Sequence, residues 1–159
     1  MLGPRVSTRP TRTGPLMNDE LFTPTIKAPQ APSSPPWRPD SIVYPAFFGG
    51  PLAAMVLGLI NGRRLALSRA HLMLIAGAGV AGFVARLVVT AALDASSGTR
   101  IIGSIAGVFT WLVIAALQRR PFRAFLYNAG TPASLVAPGF AAAIGLGVLE
   151  AVLIFVVVL

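Results

Sequence analysis

The chain contains no cysteine in its 159 residues and a single histidine, His71. Disulfides, thiolate catalysis and cysteine-ligated metals are therefore excluded, and one imidazole does not build a metal site alone. Charge is scarce as well: 11% of the residues are charged, and acidic residues number 5. A soluble domain carries roughly 25% charged residues, so this composition does not suit a water-facing surface. No Ser/His/Asp grouping, carboxylate pair or phosphate-binding lysine loop stands out. The expectation is a non-enzymatic protein with no metal and no cofactor.

What the chain has instead is apolar length. It is 55% hydrophobic with a mean hydropathy of +0.75, and a membrane-spanning helix needs about 20 apolar residues. Four stretches qualify, at about 42–60, 72–93, 101–117 and 137–159. They are longer than the roughly 9–11 residues of a spanning strand and apolar on all sides. Short connections at 61–71, 94–100 and 118–136 make sequence neighbours antiparallel. The expected fold is thus all-α: a transmembrane domain over 42–159, built as a four-helix bundle. Residues 1–41 read as a separate, disordered tail. They hold 9 of the 14 prolines with Ser, Thr and Arg, and such a stretch buries too little apolar surface to offset its ordering entropy. Within it, residues 1–16 lack any acid and precede Met17-Asn-Asp-Glu, so translation is expected to start at Met17.

The net charge of +8 would suit nucleic acid, but the placement of the arginines points elsewhere. Arg63, Arg64 and Arg69 lie between the first two apolar stretches, and Arg119, Arg120 and Arg123 between the last two. The middle connection has Arg100 balanced by Asp94. Basic residues mark cytoplasmic loops, so the first and third connections are expected in the cytoplasm and both termini outside. Lys27 and Arg38, close to the first helix, weigh against that orientation. The third connection also interleaves its arginines with Phe122, Phe125 and Tyr127, a mixture suited to the headgroup region. The expected partner is the lipid bilayer, with neither nucleic acid nor nucleotide. Residues 77–82 do match a G-x-G-x-x-G fingerprint, but they lie inside an apolar span without the strand and distant acid the fingerprint requires.

Glycines in membrane helices more commonly allow close helix packing. On that reading Gly49, Gly50, Gly58, Gly62, Gly77, Gly79, Gly82, Gly103, Gly107, Ala141 and Gly145 are candidate packing positions, and Gly50-Pro51 is a kink. Faces of this kind suit a compact bundle, a homo-oligomer or contact with another membrane protein.

Two charges lie inside the apolar stretches: Arg86 in the second and Glu150 in the fourth. Ionisable groups in the bilayer are costly and usually paired. The second and fourth helices run parallel, and the two residues sit roughly 10 and 13 Å from the matching helix ends at 1.5 Å per residue. Three readings are open: a neutralising pair, an arginine snorkelling outward, or a polar path of a small transporter or channel-like oligomer. Thr90, Ser104 and Thr110 are few for a relay.

The phrase Phe47-Phe48-Gly49-Gly50-Pro51-Leu52-Ala53-Ala54, followed by Asn61-Gly62-Arg63-Arg64-Leu65, resembles a group of small bacterial integral membrane proteins. In that group a segment like Leu21-Phe22-Thr23-Pro24 precedes an aromatic-Gly-Gly-Pro-Leu-Ala helix ending in Asn-x-Arg-x-Leu. The resemblance covers about a quarter of the chain and implies a multi-pass protein of the bacterial inner membrane, without implying an activity. This chain departs from the pattern by its proline-rich insertion between Pro24 and Ile42. The resemblance agrees with a start at Met17. N-terminal sequencing of the native protein is expected to read from Met17, and a sequence beginning earlier overturns that start.

Overall fold

The computed structural model describes residues 34–92 and 99–158. The tail up to residue 33, with its expected disorder and its Met17 start, lies outside the described residues, as does Asp94. Four helices form the structure: α1 (Val43–Arg64), α2 (Arg69–Ala92), α3 (Thr99–Tyr127) and α4 (Val136–Val158). Each is long and apolar enough to cross a membrane. No strand occurs among the described residues. α2 is helical throughout, so Gly77–Gly82 lies mid-helix and not in a strand–turn–helix unit.

α1 is the axis of the bundle and packs against all three other helices, whereas α3 and α4 make no substantial contact with each other. The contacts are set by small residues. Gly58 faces Ile114 and Ile75, Gly79 faces Met55, Gly82 faces Thr110 and Pro51, and Gly107 lies against the Ala46 carbonyl. A side chain at Gly107 would overlap that carbonyl, so the close approach of α1 to α3 requires glycine there.

α1 is not one continuous rod. Gly50 has φ 75° and ψ −169°, a conformation only glycine adopts readily, and Pro51 has no N–H to continue the ladder. The chain reverses at this point. Trp37 N–H donates to Asn61 Oδ1 at 2.7 Å, and Asn61 Nδ2 donates to the Trp37 carbonyl at 3.1 Å. A continuous helix would hold residues 37 and 61 about 36 Å apart at 1.5 Å per residue. Residues 39–49 therefore descend along α3, and 51–64 return along α2 and α3.

Two sequence expectations need correction. Disorder was expected as far as residue 41, yet Trp37 is buried and a 3-10 turn at Pro39–Ile42 buries Pro39 and Ile42. Proline has little conformational freedom to lose, and the Arg64 guanidinium lies 4.0 Å over the Trp37 ring while donating to the Pro35 carbonyl at 3.0 Å. The third basic segment was expected as a loop, but α3 continues through it to Tyr127, so Arg119, Arg120 and Arg123 are helical. Pro121 removes only one ladder bond, and Phe122 is buried and stacks on Phe125 with centroids 6.4 Å apart.

α1 and α3 end alike. Leu67 N–H reaches the Gly62 carbonyl at 2.9 Å and Ala66 N–H the Arg63 carbonyl at 3.1 Å; Gly130 and Ala129 repeat the pattern onto Phe125 and Leu126. These are Schellman terminations, and their left-handed position is held by Ala66 (φ 52°) and Ala129 (φ 57°). An alanine there costs roughly 1–2 kcal/mol of backbone strain, and both side chains are exposed. Ala66→Gly and Ala129→Gly are each expected to stabilise the protein by about 1 kcal/mol. Thermal unfolding in detergent checks this, and an unchanged or lowered midpoint for both variants refutes it.

Candidate functional site

The break in α1 leaves backbone groups without helical partners. In an unbroken helix the Phe47 carbonyl would accept from residue 51, but Pro51 has no N–H to give. Ser104 Oγ takes that role and donates to the Phe47 carbonyl at 2.9 Å. Leu52 N–H would donate to Phe48, but the turn at Gly50 removes that bond. It points instead at Glu150 Oε2, a long hydrogen bond of 3.5 Å. A carboxylate at the N-terminus of residues 51–64 also meets the positive end of that half-helix dipole.

Arg86 Nη1 donates to Glu150 Oε1 in a direct ion pair. The Glu150 side chain is fully buried, and that of Arg86 is 14% exposed. Two glycines make the room. A Cβ at Gly50 would lie 2.6 Å from Glu150 Oε2, and one at Gly103 would lie 2.5 Å from the Arg86 guanidinium carbon. The site thus joins the α1 break, α2, the start of α3 and α4. Within the bilayer the Glu150 carboxylate survives because the guanidinium and the positive half-helix end both offset its charge.

Arg86 also lines a cleft of about 810 Å³ between α3 and α4, with Phe47, Gly103, Ser104, Phe109 and Val148 among its walls. Arg86 Nε and, one helical turn on, Thr90 Oγ1 are buried without a partner among the described residues. Two other hydroxyls near the pair are committed to backbone: Ser104 as above, and Thr110 to the Ala106 carbonyl at 3.0 Å.

A second buried polar cluster was missed from the sequence. Gln118 Nε2 donates to the Gly58 carbonyl at 2.7 Å, and Asn61 Nδ2 donates to Gln118 Oε1 at 2.7 Å. With the Trp37 bonds, these two fully buried amides tie the open end of α1 shut. The signal available was a pair of amides at the edges of apolar runs, which in lipid must find partners. His71 is accounted for locally: its ring Nδ1 lies 3.0 Å from Ser68 Oγ, the capping residue of α2.

The remaining sequence candidates divide cleanly. Gly49 packs on Ala143, with a hypothetical Cβ only 2.7 Å from its Cα, and Gly62 packs on Leu72 and Leu67. Gly77 and Gly145 meet nothing within 4 Å, and Ala141 is exposed, so these three do not pack helices within the chain. Arg119 pairs with Asp40 at 3.3 Å on the exposed surface, a contact worth little. Arg63, Arg69, Arg120 and Arg123 line the same end of the bundle. No protein-family profile, curated protein or solved structure matches the chain.

If the ion pair is structural, each single lesion strands a buried charge, whereas the double lesion removes both. Arg86→Met and Glu150→Gln are each expected to cost about 3 kcal/mol, and the double variant less than either. A double-mutant cycle on unfolding midpoints in nanodiscs measures this. Additive losses would show that the two side chains act independently.

Proposed function

We infer that the protein is a non-enzymatic, multi-pass subunit of the bacterial inner membrane that assembles with a second copy of itself or another membrane protein. The observation that carries this reading is the unused small-residue surface. Gly77, Ala81 and Ala85 recur every fourth residue on the outward side of α2, and Ala141 and Gly145 do so on α4. Most of the other candidate glycines are taken up by contacts within the chain. Close helix approach through small residues is how membrane helices associate. The buried pair fits the same role, since its groups are spent on the α1 break and two of the three nearby hydroxyls are bound to backbone.

A second reading is a small transporter or channel-like oligomer using Arg86 and Glu150. The cleft that reaches Arg86, with the unpartnered Nε and Thr90 hydroxyl beside it, favours it. Broken helices at membrane depth are a common feature of transporter binding sites.

Gly77→Leu and Gly145→Leu separate the readings. A Cβ added at either glycine would meet nothing within 4 Å outside its own helix, and leucine forms helix more readily by about 1 kcal/mol, so the folded chain is expected to keep or raise its unfolding midpoint. The native protein is expected to run as a complex heavier than the 16.5 kDa chain, and the two variants to release it as monomer. A native protein that is monomeric without partners overturns the assembly reading. Variants of Arg86 and Glu150 with wild-type abundance but lost proton or solute flux in vesicles establish the second reading in its place.

A further inference from the structure

α1 has the length and composition of a spanning helix, but its course does not cross from one end of the bundle to the other. We propose that residues 34–64 form a re-entrant hairpin, so that the chain crosses the membrane three times, through α2, α3 and α4, with the arginines of residues 38–69 and 119–123 on the cytoplasmic side.

The partners along each arm carry the argument. On the descending arm Asp40 meets Arg119, the Pro39 carbonyl accepts from Trp111 Nε1 at 3.0 Å, Ala46 lies on Gly107, and Phe47 accepts from Ser104. Residue numbers rise on the arm and fall on α3, so the two run antiparallel. On the returning arm Pro51 meets Gly82, Met55 meets Gly79, Gly58 meets Ile75 and Ile114, and Gly62 meets Leu72. Here the arm is antiparallel to α2 and parallel to α3. The tip at Gly50 therefore lies beside Gly82, Gly107 and Glu150, each at least two helical turns from either end of its helix.

The lengths agree. Residues 39–49 reach roughly 17 Å and 51–64 roughly 21 Å at 1.5 Å per residue, against a hydrocarbon core about 30 Å thick. Neither arm is long enough to cross. Non-helical backbone at that depth is tolerated only where protein encloses it, and Gly49, Gly50 and Pro51 are all buried.

The hairpin also reorders the charges. Trp37 lies beside Asn61, and Ala133 N–H donates to the Pro36 carbonyl at 3.0 Å. Residues 34–40, the end of α1, the start of α2, the end of α3 and the start of α4 thus share one end of the bundle. That end carries Arg38, Arg63, Arg64, Arg69, Arg119, Arg120 and Arg123, while the opposite connection has Arg100 and Asp94. The positive-inside rule makes the arginine-rich end cytoplasmic. Arg38, which opposed the four-span orientation, now obeys the rule, and the end of α4 lies outside.

The absence of native cysteine allows a direct test. Single variants Ser34→Cys, Ala70→Cys, Thr131→Cys and Ser97→Cys are exposed to a membrane-impermeant maleimide in intact spheroplasts and after permeabilisation. The first three are expected to label only after permeabilisation, and Ser97→Cys in intact spheroplasts. Ser34→Cys labelling from the side opposite Ala70→Cys overturns the hairpin and restores four spans. If Ser34→Cys and Ala70→Cys both label in intact spheroplasts, the cytoplasmic assignment of the arginines falls.

Discussion

A helix broken inside a membrane must hand its orphaned backbone groups to other partners, and that requirement organises this protein. Pro51 deprives the Phe47 carbonyl of its donor, and the turn at Gly50 frees the Leu52 N–H. Ser104 from α3 and Glu150 from α4 answer them. Glu150 brings a charge into the hydrocarbon, and Arg86 from α2 balances it. One backbone break therefore recruits a side chain from each of the other three helices. Apolar packing could not do this, because lipid is as apolar as the helices and gives them no hydrophobic reason to associate.

The other end of α1 is closed by different chemistry to the same purpose. Asn61 and Gln118 bond each other, the Gly58 carbonyl and the backbone of Trp37. Neutral amides suffice at this end, whereas the tip needs charge because a half-helix terminus presents a partial positive charge of its own. Glycine works alongside both clusters. Gly50 and Gly103 leave space for the ion pair, and Gly107 allows the Ala46 carbonyl to touch α3. The glycines that face outward stand apart, since no contact within the chain explains them.

Much of this was legible in the sequence, unevenly. The apolar runs locate α2 and α4 to within three residues of their observed starts. Arg86 and Glu150 could be matched because parallel helices of similar length put them at similar depth. The extension of α3 through Arg119–Arg123 was hidden, since hydropathy drops there and Pro121 is a poor helix former. The order of residues 34–41 was hidden for a related reason: local composition says disorder, and only Asn61 and Arg64, more than twenty residues on, supply what Trp37 packs against.

The sequence alone determined that this chain belongs in a membrane, that it is helical there, and that its positive charge gathers at a few connections. Each follows from local composition, which lipid reads residue by residue. Only the tertiary structure decided that the first apolar run doubles back. Hydropathy records how long an apolar segment is but not which way it runs. The direction is set at Gly50, where one non-helical residue turns the chain and distant side chains on three helices support the turn.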